Sequence, residues 1–143
     1  MHSLSKGRSD RKGWMALKLD MSKAYDRVEW PFLFGVMRKM GFPDAWIRVV
    51  TDCVTTSTLS FIVNGESCGW LEPSRGLRQG CPLSPYLLLL CAEGLSGLLS
   101  KAEKDSFISG FSCTRNGPKV SHLFFAYDSL MFCRASVCVL GRY

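Results

Sequence analysis

Phe124-Phe125-Ala126-Tyr127-Asp128-Ser129-Leu130-Met131-Phe132 reads as two short apolar strands joined by a tight turn with one carboxylate at its tip. Leu123 and Phe125 alternate before the turn, and Leu130 and Phe132 after it. Period-2 geometry therefore puts them on matching faces of a hairpin over Ser121 to Phe125 and Ser129 to Cys133. The partner for that carboxylate sits near the other end of the chain. Trp14-Met15-Ala16-Leu17-Lys18-Leu19-Asp20 also alternates, with Leu17 and Leu19 on one face and Lys18 and Asp20 on the other. This is a strand with a core side and a polar side, ending in an acid. A carboxylate at a strand end is a usual location for chemistry; a turn-forming Asp is the plain alternative until a second carboxylate stands beside it.

Between these two stretches the chain alternates helical and extended signals. Residues 21–29 read as a turn. Pro31 suits the first position of a helix, Leu33, Val36, Met37 and Met40 follow at helical spacing, and Gly41 supplies the stop. A second helix opens near Pro43-Asp44 with Trp46, Val49, Val50, Cys53 and Val54 as its core stripe. Leu59, Phe61 and Val63 alternate before Asn64-Gly65, the favoured two-residue turn, so residues 58–71 predict a β-hairpin. Residues 72–85 (EPSRGLRQGCPLSP) form a loop dense in Gly, Pro and Arg, a length that is usually functional inside a compact domain. Arg75 and Arg78 face no evident acidic partner there. Ser84 can cap and Pro85 can start a helix to about Lys101–Lys104. Its first two turns are apolar all round, which predicts burial on every side, and Gly94 and Gly97 allow close packing. Residues 107–111 suggest a short strand and Asn116-Gly117-Pro118 a turn. The order β-α-α-β-β-loop-α-β-β-β implies an α+β domain, with an antiparallel sheet and helices packed on one face.

The bulk composition agrees with one folded domain. The chain has 143 residues, 47% of them apolar and 21% charged, with a net charge of +6. Such a composition excludes disorder and makes an anionic partner plausible. Residues 1–13 carry four Lys/Arg and no hydrophobic period, the pattern of a loose basic segment. The seven Cys show no metal-ligand spacing and lie partly in apolar runs. Reduced, buried thiols of an intracellular protein follow, with no disulfide-linked partner. The longest apolar run, Tyr86 to Ala92, is too short to span a bilayer, so no membrane is expected. Nothing distinguishes nucleus from cytoplasm.

Three blocks, in order, point to a family: Leu17-Lys18-Leu19-Asp20-Met21-Ser22-Lys23-Ala24-Tyr25-Asp26, then Gly76-Leu77-Arg78-Gln79-Gly80-Cys81-Pro82-Leu83-Ser84-Pro85, then His122-Leu123-Phe124-Phe125-Ala126-Tyr127-Asp128-Ser129. They resemble motifs A, B and C of reverse transcriptases, with wording closest to the LINE-type (non-LTR) retrotransposon enzymes common in plant genomes. The resemblance implies a polymerase palm over residues 14–135, preceded by the basic segment 1–13 and followed by a divergent tail, 136–143. It implies RNA-directed DNA polymerase chemistry on an RNA template and DNA primer with deoxynucleoside triphosphates. Asp20 and Asp128 would hold two Mg2+ ions, helped by the backbone carbonyl of Met21. Tyr25 would underlie the incoming sugar, and Arg78, Gln79 and Gly80 would touch template and nucleotide. Two cations about 4 Å apart clamp the attacking and leaving oxygens in such chemistry, and magnesium takes oxygen ligands.

The sequence departs from the family at one decisive place. Tyr127 stands where motif C has its first Asp. A phenol, with a pKa of about 10, is neutral at pH 7 and bulkier than a carboxylate. Losing one ligand from a two-metal site costs on the order of 10³-fold in rate, so a chain without meaningful polymerase activity is expected. The family also places fingers and thumb regions around its palm, and the resemblance here covers the palm. A non-catalytic nucleic-acid-binding remnant, carried by Arg75, Arg78 and the N-terminal basic residues, and a functionless translated relic are the alternatives.

Overall fold

The computed structural model describes residues 2–4, 13–112, 114, 117–125 and 128–134. The chain divides into two compact units, one of residues 1–22 and 95–143, the other of residues 23–94.

The first unit is built on a four-stranded antiparallel sheet. Its strands are β1 (His2–Leu4), β2 (Trp14–Asp20), β5 (His122–Phe125) and β6 (Asp128–Arg134), in the order β1-β2-β6-β5. Alternation along β2 and β6, with Trp14↔Arg134 through Asp20↔Asp128 in register, gives the sheet two unlike faces. One carries Met15, Leu17, Ser129, Met131, Cys133, His122 and Phe124, and Ser129 is buried there. The helix α3 (Ser84–Lys104), whose residues from Leu95 onward belong to this unit, meets that face where Ser96 Oγ and His122 Nε2 share a hydrogen bond of 2.8 Å. The other face carries Trp14, Ala16, Lys18 and Asp20 opposite Arg134, Phe132, Leu130 and Asp128. At its far end Phe111 covers it, edge-on to Trp14 at 5.4 Å and stacked on Phe132 at 6.2 Å.

The hairpin read from residues 121–133 pairs as expected, Leu123 with Leu130 and Phe125 with Asp128; residues 126–127, where its turn is expected, lie outside the described residues. Two expectations need correction. The loose basic segment contains a strand, since His2–Leu4 pair with Trp14–Ala16. The edge of β2 offers a row of unpaired backbone groups, and pairing them needs no hydrophobic period. Residues 107–111 form no strand, only the isolated bridge Phe111↔Val120. Of the turn at 116–118, Asn116 is outside the described residues, as is the tail at 136–143.

The second unit holds α1 (Trp30–Lys39), α2 (Asp44–Thr55), the hairpin β3 (Leu59–Val63) and β4 (Glu66–Leu71), and the start of α3. Its core is Val28, Leu33, Met37, Ile47, Val50, Leu77 and Leu87. Gly94 belongs to it: a Cβ there would run into Val36 of α1, so glycine is what lets the two helices approach. Gly97 has open space instead. Helix α1 buries Leu33, Val36 and Met37 but leaves Met40, its C-cap, exposed. In α2 the core stripe is rotated from the expected one. Ile47 and Val50 are buried, while Trp46, Val49 and Cys53 face solvent. Both stripes have helical spacing, so periodicity alone does not choose between them.

The β3–β4 hairpin forms as expected. Asn64 and Gly65 have φ of 50° and 88°, the mirror-image turn that Asn-Gly favours. Yet every residue of both strands is exposed, Ile62 at 77% and Trp70 at 81%. The start of α3 also differs from its reading. Leu83 supplies the carbonyl that accepts from the N–H of Leu87, so the helix is entered one residue before Ser84. Tyr86 and Leu89 are about two-thirds exposed, and only Ser84 and Leu87 are buried in its described residues. Among the described residues no helix is long and apolar enough to cross a membrane.

Candidate functional site

Asp20 and Asp128 are the facing residues at one end of the β2–β6 ladder. The alternation that puts the half-buried Leu17 and Met131 on one side of the sheet necessarily turns both acids to the other. Directly opposed residues in an antiparallel pair have Cβ atoms roughly 5 Å apart, so the strand end and the hairpin tip present two carboxylates side by side. Lys18 shares their face, and its Nζ lies 3.0 Å from Asp128 Oδ2. Among the described residues Asp20 has no ion pair. Met21 follows it directly and is exposed.

This donor set fits a hard divalent cation. Magnesium asks for oxygen ligands and typically takes one or two carboxylates, with water and phosphate oxygens completing the shell. Among the described residues no third His, Cys, Asp or Glu joins the pair. An ion held by Asp20 and Asp128 would supply Lewis-acid chemistry toward oxygen atoms bound beside them. Tyr127, the residue expected to weaken that site, lies outside the described residues.

The remaining predicted site residues, Tyr25, Arg78, Gln79 and Gly80, belong to the second unit. There the turn after β2 and the 72–85 loop are stitched together. The N–H of Leu77 donates to the carbonyl of Tyr25 at 2.9 Å, and that of Gly76 to Val28 at 2.8 Å. The indole Nε1 of Trp30 donates to the Gly76 carbonyl at 2.7 Å. Gly76 is required by this seam: its φ is 94°, and a Cβ would meet the Asp26 backbone at 3.2 Å. Arg75 has an acidic partner that its sequence neighbourhood did not reveal, Glu29 Oε1 at 3.2 Å. The seam closes one side of a groove of about 770 Å³ whose lining includes Trp30, Arg75, Arg78, Gln79, Gly80 and Cys81.

Cysteine chemistry differs along this segment. The backbone N–H of Leu83 is the main group that lowers the Cys81 thiol below its ordinary value, helped by the Ser84 N–H and the Arg78 guanidinium, against a smaller opposing effect of burial. Ser84 Oγ itself donates to the Arg78 carbonyl at 2.7 Å, tying the loop down rather than capping the helix. Cys91, ten residues on, is pushed up to about 11 by burial. Cys53 and Cys68 are exposed, while Cys81, Cys91 and Cys133 are partly buried.

The family model for reverse transcriptase (RNA-dependent DNA polymerase) matches residues 1–138. The chain belongs to the reverse transcriptase family. An uncharacterized mitochondrial protein of Arabidopsis thaliana is 51% identical to it over 71 residues, covering 50% of this chain and 58% of that protein. The retrovirus-related Pol polyprotein from type-1 retrotransposable element R2 of Popillia japonica is 26% identical over 130 residues, 91% of this chain and 20% of the polyprotein. The transposon TX1 uncharacterized 149 kDa protein of Xenopus laevis is 33% identical over 85 residues, 59% of this chain and 6% of its own. The chain thus spans less than two-thirds of each of these relatives. The reverse transcriptase reading made from three short motifs holds, as do the non-LTR retrotransposon affinity and the α+β fold.

Sequence reasoning missed Lys18 as a functional neighbour, although its spacing from Asp20 put both on one strand face. It missed the roles of Glu29 and Trp30, whose partners lie 46 residues away and leave no local signal.

Proposed function

We propose that this chain is the palm portion of a retrotransposon RNA-directed DNA polymerase, in which Asp20 and Asp128 bind a divalent ion, magnesium in the cell, and Tyr127 has cost the site its catalysis. The observation that carries this reading is the direct opposition of Asp20 and Asp128 across β2 and β6. Two carboxylates held this close by a rigid ladder repel one another, and a bound cation reverses that cost. In the same reading the backbone carbonyl of Met21 adds an oxygen ligand. Tyr25 supports the sugar of an incoming deoxynucleoside triphosphate, while Arg78, Gln79 and Gly80 contact that nucleotide and the RNA template paired with a DNA primer.

The test is primer extension on an RNA template with the chain joined in frame to the flanking regions of a related retrotransposon polyprotein. The version with Tyr127 extends at background level, and Tyr127→Asp raises the rate on the order of 10³-fold. Equal extension by the two overturns the inactivity. In the Tyr127→Asp background, extension that survives Asp20→Asn or Asp128→Asn unchanged overturns the assignment of those two acids.

A non-catalytic nucleic-acid-binding role is favoured by one feature, the open groove that carries Arg78 and Gln79. It predicts binding to primer–template that weakens steeply with salt. Arg75 contributes less to it than its sequence position suggested, because Glu29 engages it.

A further inference from the structure

We propose that Lys18 is a built-in counter-ion for the Asp20–Asp128 pair, one that a divalent metal must displace. The inference rests on the metal-site reading above and adds to it a residue of opposite charge. The register fixes the geometry. Lys18 and Asp20 are two apart on β2, Asp20 faces Asp128, and Leu130 faces Lys18. All three charged groups therefore share one face at one end of the ladder. The other described cation of that face, Arg134, lies at the opposite end, 5.6 Å from the ring centre of Trp14. Lys18 Nζ reaches diagonally to Asp128 Oδ2 at 3.0 Å. It is the group that offsets the repulsion between two acids that the ladder forces into opposition.

A divalent ion needs the same oxygens. Magnesium sits about 2 Å from each carboxylate oxygen it binds, so it would share Asp128 with an ammonium of like sign. The two cations therefore compete, and by linkage each weakens the other by the same factor. The side chains of Lys18 and Asp128 are 62% and 43% exposed, so solvent screens the pair and the factor is small. Lys18 is a positioning residue in this scheme: it holds the Asp128 carboxylate ready while no metal is present.

The experiment uses the full chain as wild type, Lys18→Met, Lys18→Arg, Asp20→Asn and the double variant Lys18→Met/Asp20→Asn. Melting is followed in EDTA, and Mn2+ affinity is read from the EPR signal of the free ion. In EDTA, Lys18→Met melts about 2–4 °C below wild type, Lys18→Arg matches wild type, and adding Asp20→Asn to Lys18→Met recovers most of the loss, a non-additive cycle. Lys18→Met binds Mn2+ about two- to fivefold more tightly than wild type or Lys18→Arg, the reach of an exposed ion pair. A merely structural Lys18 gives a melting loss that Asp20→Asn does not relieve, and that result overturns the proposal. Equal or weaker Mn2+ binding by Lys18→Met overturns it too. If no variant, wild type included, binds Mn2+, the metal-site reading falls and displacement falls with it, while the EDTA cycle still decides the counter-ion role.

Discussion

The two hairpins of this chain begin from nearly the same local instructions and end in opposite circumstances. In the sequence each has apolar residues two apart, a two-residue turn and a returning strand. β5–β6 is joined along β6 to β2, becomes half of a four-stranded sheet and buries Ser129 on a face that α3 meets. β3–β4 remains a two-stranded sheet with every residue exposed. Alternation and Asn-Gly specify a hairpin; only a third strand or a covering helix gives it an inside. The functional consequence follows directly. A carboxylate can be aimed only from a strand whose register is locked, and slipping β6 by one residue would turn Asp128 to the packed face.

The widest contrast should come from placing the same charge on each hairpin. Ser129→Lys puts an unpaired ammonium on the packed face and should cost about 3 kcal/mol or more in denaturant unfolding. Ile62→Lys should stay within about 0.5 kcal/mol, and a large loss there would mean that β3 is covered in solution. Next in size is the turn. Gly65→Ala forces a Cβ into a positive-φ position and should cost about 1 kcal/mol. Amide exchange should then speed up in β3–β4 alone and leave the β2 and β6 amides as they were. Loss of protection in both sheets would make the hairpins one cooperative unit. The seam offers a comparable test: Gly76→Ala should cost about 2 kcal/mol and expose the Trp30 indole to quenchers.

The thiols give the finest comparison. Cys68 on β4 is exposed and Cys133 on β6 is half-buried, so mass mapping should find Cys68 alkylated first. Along the α3 segment the ordering should depend on pH. Thiolate is the reactive form, Cys81 has its value lowered and Cys91 has it raised to about 11. Cys81 should therefore label faster than Cys91 at any pH below about 11, and Cys91 should label appreciably only as pH approaches that value. Equal rates at pH 7 would remove the proposed effect of Leu83, Ser84 and Arg78 on the thiol.

What could be read in advance was what repeats locally or is short and chemically distinctive. The alternation at 14–20 and 121–133, the Asn64-Gly65 turn and the ordered motif blocks gave the hairpins, the acid pair and the family. What could not be read was orientation. Two helical stripes that share Val50 run along α2, and the choice of Ile47 over Trp46 and Val49 depends on which neighbour arrives. The apolar run at the start of α3 looked buried all round, but its outer side, at Tyr86 and Leu89, is covered by none of the described residues. The Trp30–Gly76 and Arg75–Glu29 contacts join residues 46 apart, and nothing in either segment names the other.

That same seam makes everything between Val28 and Gly76 an excursion with its two ends fastened. Inside it, α1 and α2 are held by the core residues Leu33, Met37, Ile47 and Val50, and the β3–β4 hairpin is the exposed part. The entropy of closing such an excursion grows only with the logarithm of its length, roughly 0.6 kcal/mol per doubling. Shortening or lengthening the β3–β4 hairpin therefore leaves the cost of the closure almost unchanged. The exposed hairpin is where this palm can gain or lose residues over evolutionary time while the backbone around Tyr25 and Leu77 keeps its place.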